Sequence, residues 1–219
     1  MIYFMPICDT DQMEEQYRAW LPHLPPTRQR KLMQYRFAKD RWLCAAAYML
    51  LLHALQNEHG ITEEQVKIEV EESGKPYLAS HPHIFFNLSH CDLGVVCGLG
   101  SAPIGVDVEA IRNIDQIVVK RVCNMAEQDI IACSGSQAHT FTEMWTLKES
   151  FIKAIGCGLS CSLADISVKV SAKGSLHISQ DGYDAYVLEQ LGSYCISVCG
   201  KTEAPTQNSL HKVKSALLT

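Results

Sequence analysis

The chain has 219 residues, 47% of them hydrophobic and 20% charged, with a formal net charge of −5. That length builds one large unit or two domains of roughly 100 residues each, and the composition is ordinary for a globular protein. The acidic balance argues against general binding to nucleic acid or to an anionic membrane, so an anionic substrate must find its positive charge gathered locally.

Residues 2–7 read as a first strand; the apolar run 1–8 lacks the basic leader of a secretory signal. Asp9-Thr10-Asp11 marks the start of a polar helix. Pro25-Pro26-Thr27 opens a long helical region running to about Asn57, with a break expected near Lys39-Asp40. Its first part clusters Arg28, Arg30, Lys31 and Arg36, which taken alone read as a solvated basic face. Its second part holds the longest apolar segment, 44–55, too short to cross a bilayer. Residues 66–70 read as a strand and Ser73-Gly74-Lys75-Pro76-Tyr77 as a turn. A buried-strand pattern over 84–89 ends in Asn87-Leu88-Ser89-His90, where a lone His is more often a structural hydrogen-bonder than a ligand; a strand over Gly94–Gly100 follows. Residues 101–104 read as a seam. A faint echo links the halves: each begins with a strand, contains a long helix and closes on a strand reading Val-Cys-Gly, at Val96-Cys97-Gly98 and Val198-Cys199-Gly200.

Residues 103–109 (PIGVDVE) alternate: Ile104, Val106 and Val108 point one way, Gly105, Asp107 and Glu109 the other. Two carboxylates roughly 6–7 Å apart on one strand face repel if desolvated, so this strand either lies at the surface or holds a cation. Residues 110–125 interleave Ile114, Ile117, Val118 and Val122 with Arg112, Lys120 and Arg121, the pattern of a core-packing amphipathic helix or of an exposed docking surface. Residues 126–134 and 138–155 read as helices. Within 145–159 (WTLKESFIKAIGCGL) the helix is stopped by Gly156 and Gly158, and Trp145, Ile152 and Ile155 form an apolar stripe expected to bury against a core. Glu149 and Lys153 project together from a neighbouring face. Alone they are a helix-stabilising couple worth roughly 0.2–0.5 kcal/mol. Beside the acidic strand, Glu149 would complete an oxygen-rich site suited to Mg²⁺, and Lys153, one turn on, would meet a phosphate. Short strands follow over 166–170, 176–178, 183–188 and 194–199, with turns at Lys173-Gly174 and Asp181-Gly182. Residues 201–219 read as an appended polar tail. The ten cysteines include no C-x-x-C, and the pairs Cys157/Cys161 and Cys195/Cys199 lack a His partner for zinc. The expectation is a cytoplasmic protein with free, mostly buried thiols.

The GVDVE stretch, followed by WxxKExxxK with a GxGL tail, resembles the signature pair of the 4′-phosphopantetheinyl transferases, specifically the surfactin-synthetase-activating (Sfp-like) type. The resemblance extends over most of the chain. Arg28, where the family usually has Lys, and Lys31 stand where basic residues meet the 3′-phosphate of coenzyme A. Asp40-Arg41 also matches, whereas Leu43 and Cys44 replace a further basic and a small hydroxyl residue. The resemblance implies that the Gly-Lys-Pro turn sets Lys75 against the nucleotide as a phosphate or adenine contact, and that Ser89 and His90, in the FNxSH match, donate to phosphate oxygens.

The resemblance implies an α+β fold of two similar α/β lobes related by a pseudo-twofold: 1–101 on the nucleotide side, 102–200 on the metal and carrier side, then the tail 201–219. The implied reaction is Mg²⁺-dependent transfer of the 4′-phosphopantetheine arm of coenzyme A to a serine of an acyl or peptidyl carrier protein, releasing adenosine 3′,5′-bisphosphate. The carrier would belong to a fatty-acid, polyketide or nonribosomal peptide system, and the enzyme would act as a monomer. Asp107, Glu109 and Glu149 would hold the metal, with Glu149 also the base, directly or through a metal-bound water. Lys153 would offset charge on the leaving phosphate, and the carrier would dock beside 112–125. Two other classes stay open on the residues alone: a Mg²⁺-dependent phosphohydrolase and a non-catalytic coenzyme-A-binding module.

Overall fold

The computed structural model describes residues 1–7, 13–191, 193–202, 210–214 and 218. The expected helix start at Asp9-Thr10-Asp11 lies outside them. The first half lays a sheet against one buried helix. Strand β1 (Ile2–Pro6) leads to α1 (Met13–Trp20), α2 (Pro26–Leu32) and α3 (Ala38–His59). Every residue of α3 from Trp42 to Leu52 is buried, so it is apolar all round and serves as a core helix. It ends at Gly60, whose left-handed backbone (φ 65°) suits glycine. The break before it falls at 33–37, earlier than the expected Lys39-Asp40. Phe37 is extended there, and the Arg41 guanidinium takes up the Tyr35 carbonyl at 2.8 Å. Strands β2 (Ile68–Val70) and β3 (Pro76–Leu78) form a small hairpin around the turn at Gly74, and β4 (Phe85–Cys91) and β5 (Gly94–Gly100) complete this half.

The second half contains β6 (Ile104–Ala110), α4 (Gln116–Val122), α5 (Met125–Cys133), α6 (Gln137–Ile155), β7 (Lys169–Val170), β8 (Leu176–Gln180), β9 (Tyr183–Leu191) and β10 (Tyr194–Lys201). Its sheet runs β6-β10-β9-β8-β7 with antiparallel neighbours, and α6 packs across it. Helix α4 is shorter than the amphipathic pattern over 110–125. Ile111 still bonds to the chain beyond β9, at Ser193, and Asp115 caps the helix by accepting the Ile117 N–H at 2.8 Å.

The echo between the halves has a topological form. Within each half the first strand pairs with that half's last strand and the last with the one before it, β1-β5-β4 and β6-β10-β9, with a long helix between. Ile2, Phe4 and Val96 of the first sheet pack against Val106, Val108 and Val198 of the second, so the two sheets share a core. At the outer edge of β6 the Asn87 side chain of β4 accepts the Val106 N–H at 2.9 Å.

The segment 201–219, expected as an appended tail, returns to the first half in its described residues. Strand β11 (Leu210–Lys212) pairs in parallel with β1, Val213 and Leu218 are buried, and the Trp20 indole donates to the Leu218 carbonyl at 2.6 Å. Among the described residues no helix is long and apolar enough to cross a membrane.

Candidate active site

The site is assembled by the way α6 lies on β6. On one face of β6, Val106 and Val108 enter the shared core. On the other, a Cβ at Gly105 would stand 2.0 Å from the Ser150 carbonyl oxygen and 2.5 Å from the Ala154 nitrogen, so only glycine lets the helix backbone come this close. Glu149 and Lys153 each precede one of those contact residues and are thereby brought over the next outward residue of β6, Asp107.

The Lys153 ammonium donates to Asp107 Oδ1 at 2.6 Å and to Ser89 Oγ at 2.9 Å. Ser89 Oγ in turn donates to the same Asp107 oxygen at 2.7 Å. This trio joins β4, β6 and α6, and therefore both halves of the chain. Asp107 is only 3% exposed, and its second oxygen, Oδ2, is buried without a partner. Glu109, Glu149, His90 and Trp145 complete a cleft of about 370 Å³ around it.

The cleft is electrostatically uneasy. Burial, and then the Asp107 charge, push Glu109 from its ordinary 4.5 to about 7. Glu149 is raised by the same two causes, with Lys153 opposing them. Desolvation at the cleft wall, and next the Lys153 ammonium, hold the His90 imidazole below its ordinary value. Among the described residues no three His, Cys, Asp or Glu side chains are drawn together as a cage for a metal ion. The donor set nonetheless fits a hard divalent cation. It is all oxygen, one buried carboxylate oxygen lacks a partner, and two further acids are disfavoured as anions by burial and by the Asp107 charge, both of which a bound cation would offset.

The other expected residues divide. Lys75 reaches α6 rather than open space, its ammonium donating to the carbonyls of Lys153 at 2.6 Å and Ala154 at 2.8 Å and so capping the helix C-terminus. Its turn lines a wider adjoining cleft of about 910 Å³ together with Glu149, Lys153, Val122, Gly158, Ser160 and Leu163. Arg28 lies over the Tyr48 ring, 4.7 Å from its centroid, and beside Cys44; Lys31 is exposed on α2. Neither lines these two clefts. Leu43 and Cys44 are buried in α3. The structure therefore gathers Ser89, His90, Asp107, Glu109, Glu149 and Lys153, sets Lys75 against the back of the same helix, and leaves Arg28 and Lys31 apart.

One expectation is refined and one corrected. The stripe of Trp145, Ile152 and Ile155 does pack against the core of the second half, with Ile152 buried in it and Trp145 and Ile155 half-buried at its border, but Trp145 and Ile152 also line the wider cleft; Met144, Leu147, Phe151 and Ala154 complete the core face of α6. The cysteines are not all free: Cys157 and Cys161 are disulfide-bonded, because the left-handed Gly156 and Gly158 turn the chain back and bring their Cα atoms to 6.0 Å. The other described cysteines are free, and burial raises the Cys195 and Cys199 thiols to about 12, leaving them unreactive. Gly105 and Asn87 had been given no role, although a glycine inside an otherwise β-branched strand is a recognised sign of close backbone approach. Lys148, inside the WxxKE run, had also been given none. It is wholly buried and paired with Glu127.

Comparison with known proteins gives two family matches that together span most of the chain. The 4′-phosphopantetheinyl transferase superfamily matches residues 103–199, and the 4′-phosphopantetheinyl transferase N-terminal family matches residues 11–100. A 4′-phosphopantetheinyl transferase of Bacillus subtilis is 31% identical over 157 residues, 69% of this chain and 70% of that protein. The transferase Sfp of Bacillus subtilis (strain 168) is 27% identical over 172 residues, covering 78% and 77%, and gsp of Aneurinibacillus migulanus is 28% identical over 192 residues, covering 85% and 80%. Among solved structures, Helicobacter pylori holo-[acyl-carrier-protein] synthase in complex with coenzyme A is 20% identical, with 45% of this chain and 99% of that chain covered and a TM-score of 0.38. The two family matches span the strand bearing Asp107, the helix bearing Lys153 and the half that supplies Ser89, and with these relatives the chain belongs to the 4′-phosphopantetheinyl transferase family, as an enzyme of the Sfp-like type.

Proposed function

We propose that this enzyme uses the cleft between β4, β6 and α6 to transfer the 4′-phosphopantetheine arm of coenzyme A to a serine hydroxyl of an acyl or peptidyl carrier protein, with adenosine 3′,5′-bisphosphate leaving. The serine oxygen bonds to the phosphorus that carries the pantetheine, and the bond from that phosphorus to the bridging oxygen of the pyrophosphate breaks. Glu149 takes the hydroxyl proton. Its raised pKa makes it a stronger base than an ordinary carboxylate. Lys153, a fixed cation beside Asp107, offsets charge on the departing phosphate. Asp107, Glu109 and Glu149 are the oxygens that would hold Mg²⁺, which when bound supplies charge neutralisation to the pyrophosphate. Ser89 and His90 serve the phosphates, and Arg28 and Lys31 the far end of the nucleotide. Lys75 contributes through the turn that its ammonium pins to α6.

The observation that carries this reading is the Lys153–Ser89–Asp107 trio, which unites both sequence motifs around a buried oxygen with no partner. The test is the intact mass of an apo carrier protein after incubation with the enzyme, coenzyme A and Mg²⁺. One phosphopantetheine added to the carrier is expected. Release of free phosphopantetheine without a carrier would make the enzyme a hydrolase, and coenzyme A left intact would make the chain a binding module.

A further inference from the structure

Lys148 directly precedes Glu149 on α6 but points into the protein, where it is 0% exposed. Its three ammonium protons meet three acceptors: the Val122 carbonyl at 2.9 Å, Glu127 Oε2 at 2.6 Å and the Leu163 carbonyl at 3.0 Å. Glu127, 1% exposed, is equally committed. Its Oε2 also accepts the Asn124 N–H at 3.0 Å and its Oε1 the Val168 N–H at 2.8 Å. The pair thus ties α6 to the end of α4, the start of α5, the segment at Leu163 and the approach to β7.

A buried ion pair is a poor means of gaining stability, because desolvation of both charges offsets their attraction and packed apolar side chains serve as well. What a three-proton ammonium supplies is directed bonding to several backbone carbonyls at once. Two of its partners matter here. Val122 and Leu163 are wall residues of the wider cleft, as are Trp145, Glu149 and Lys153. Lys148 therefore bonds the helix bearing Glu149 to both neighbouring walls.

We propose that the buried Lys148–Glu127 pair is a positioning device for the group transfer, fixing α6, and with it Glu149, at a set distance from the cleft walls at Val122 and Leu163. The proposal rests on the functional reading above. Lys148 is a positioning residue: it touches no substrate and acts through Glu149 and the walls.

The test replaces the pair with neutral groups of similar volume, Lys148→Met with Glu127→Gln, the amide oxygen still able to accept one of the two backbone N–H groups. The expected double variant folds, loses ~10–100-fold in kcat and changes its KM for coenzyme A by less than about threefold. It also shows greater quenching of tryptophan fluorescence by acrylamide. That signal reports Trp145 at the cleft, since Trp20 and Trp42 are each 3% exposed in the core of the first half. A folded double variant with wild-type kcat and quenching overturns the proposal and leaves the pair a stability element. If the double variant does not fold, Glu127→Gln alone carries the same readouts, and failure of both to fold also overturns positioning in favour of a folding role. The quenching arm separates the two readings. Altered quenching in a variant of an enzyme that transfers nothing to a carrier would sink the functional reading and keep the positioning one.

Discussion

Gly105→Ala is the smallest change that addresses how the site is put together. The added Cβ would lie 2.0 Å from the Ser150 carbonyl oxygen and 2.5 Å from the Ala154 nitrogen. Ordinary contact is about 3.5 Å, so the shortfall is about 1–1.5 Å. The obstacle is helix backbone, which cannot rotate aside as a side chain can, so α6 must lift or β6 must bend. Overpacking of this kind costs about 1–3 kcal/mol, and each kcal/mol lowers the melting temperature of a chain this long by about 2–4 °C. The kinetic loss is larger than that suggests. Lifting α6 by about 1 Å withdraws Glu149 and Lys153 together from Asp107, and a misplacement of that size costs about 10²-fold in rate. The assay is the initial rate of carrier modification by intact mass, run well below the melting transition of the variant, alongside thermal unfolding. A variant with kcat within about threefold of wild type and an unchanged melting temperature would refute the close-packing argument.

Further outcomes follow from the same geometry. Glu149→Gln keeps shape but loses basicity and charge, and turnover should fall by ~10²-fold or more; near wild-type transfer at saturating Mg²⁺ would remove Glu149 from the mechanism. Lys75→Met strips the cap from α6 and should cost about 1–2 kcal/mol in thermal unfolding; an unchanged melting temperature with a raised coenzyme A KM would mean that the ammonium reads the nucleotide instead. Glu109 is raised to about 7 in the folded protein from 4.5, so its contribution to stability is complete below about 4.5 and is lost as pH rises through about 7. In metal-free buffer Glu109→Gln should therefore gain in melting temperature relative to wild type between about pH 5 and about pH 8, and a difference that stays constant with pH would contradict the shift. Lys120→Glu with Arg121→Glu should raise KM for an acidic carrier, more so at low salt, because these exposed cations flank exposed Ile117 beside the site. An unchanged carrier KM would place docking elsewhere.

What was legible in the sequence followed from strong local rules. The alternation of PIGVDVE gave a strand with Asp107 and Glu109 on one face, and the left-handed stop at Gly156 ended α6 as the glycine predicted. The meeting of the two motifs rested on resemblance, since neither periodicity nor spacing places Ser89 against Asp107; that contact depends on how two sheets pack. What was missed shares this origin. Trp145 has the period of a core residue and does pack against the core, but that its other side walls the clefts is decided by its neighbours in space. Lys75 is expected against the nucleotide, and its bonds to two helix carbonyls carry no sequence signal because those partners lie 78 and 79 residues away. Lys148 carried no signal of burial because lysine is rarely buried, and only the fold supplies the three acceptors that permit it.

The strand Leu210–Lys212, laid along β1, has a consequence for the order in which this protein can be made. As the chain leaves the ribosome, residues 1–100 emerge before 210–212, so the outer edge of their sheet waits for a strand that follows the whole second half. Until then β1 presents unpaired backbone groups, the kind of surface on which nascent chains pair with one another. The Trp20 indole waits as well, since its acceptor is the carbonyl of Leu218. The half that emerges first is thus the half that finishes last, and translation that pauses or stops short of residue 210 leaves a sheet open to the wrong partner.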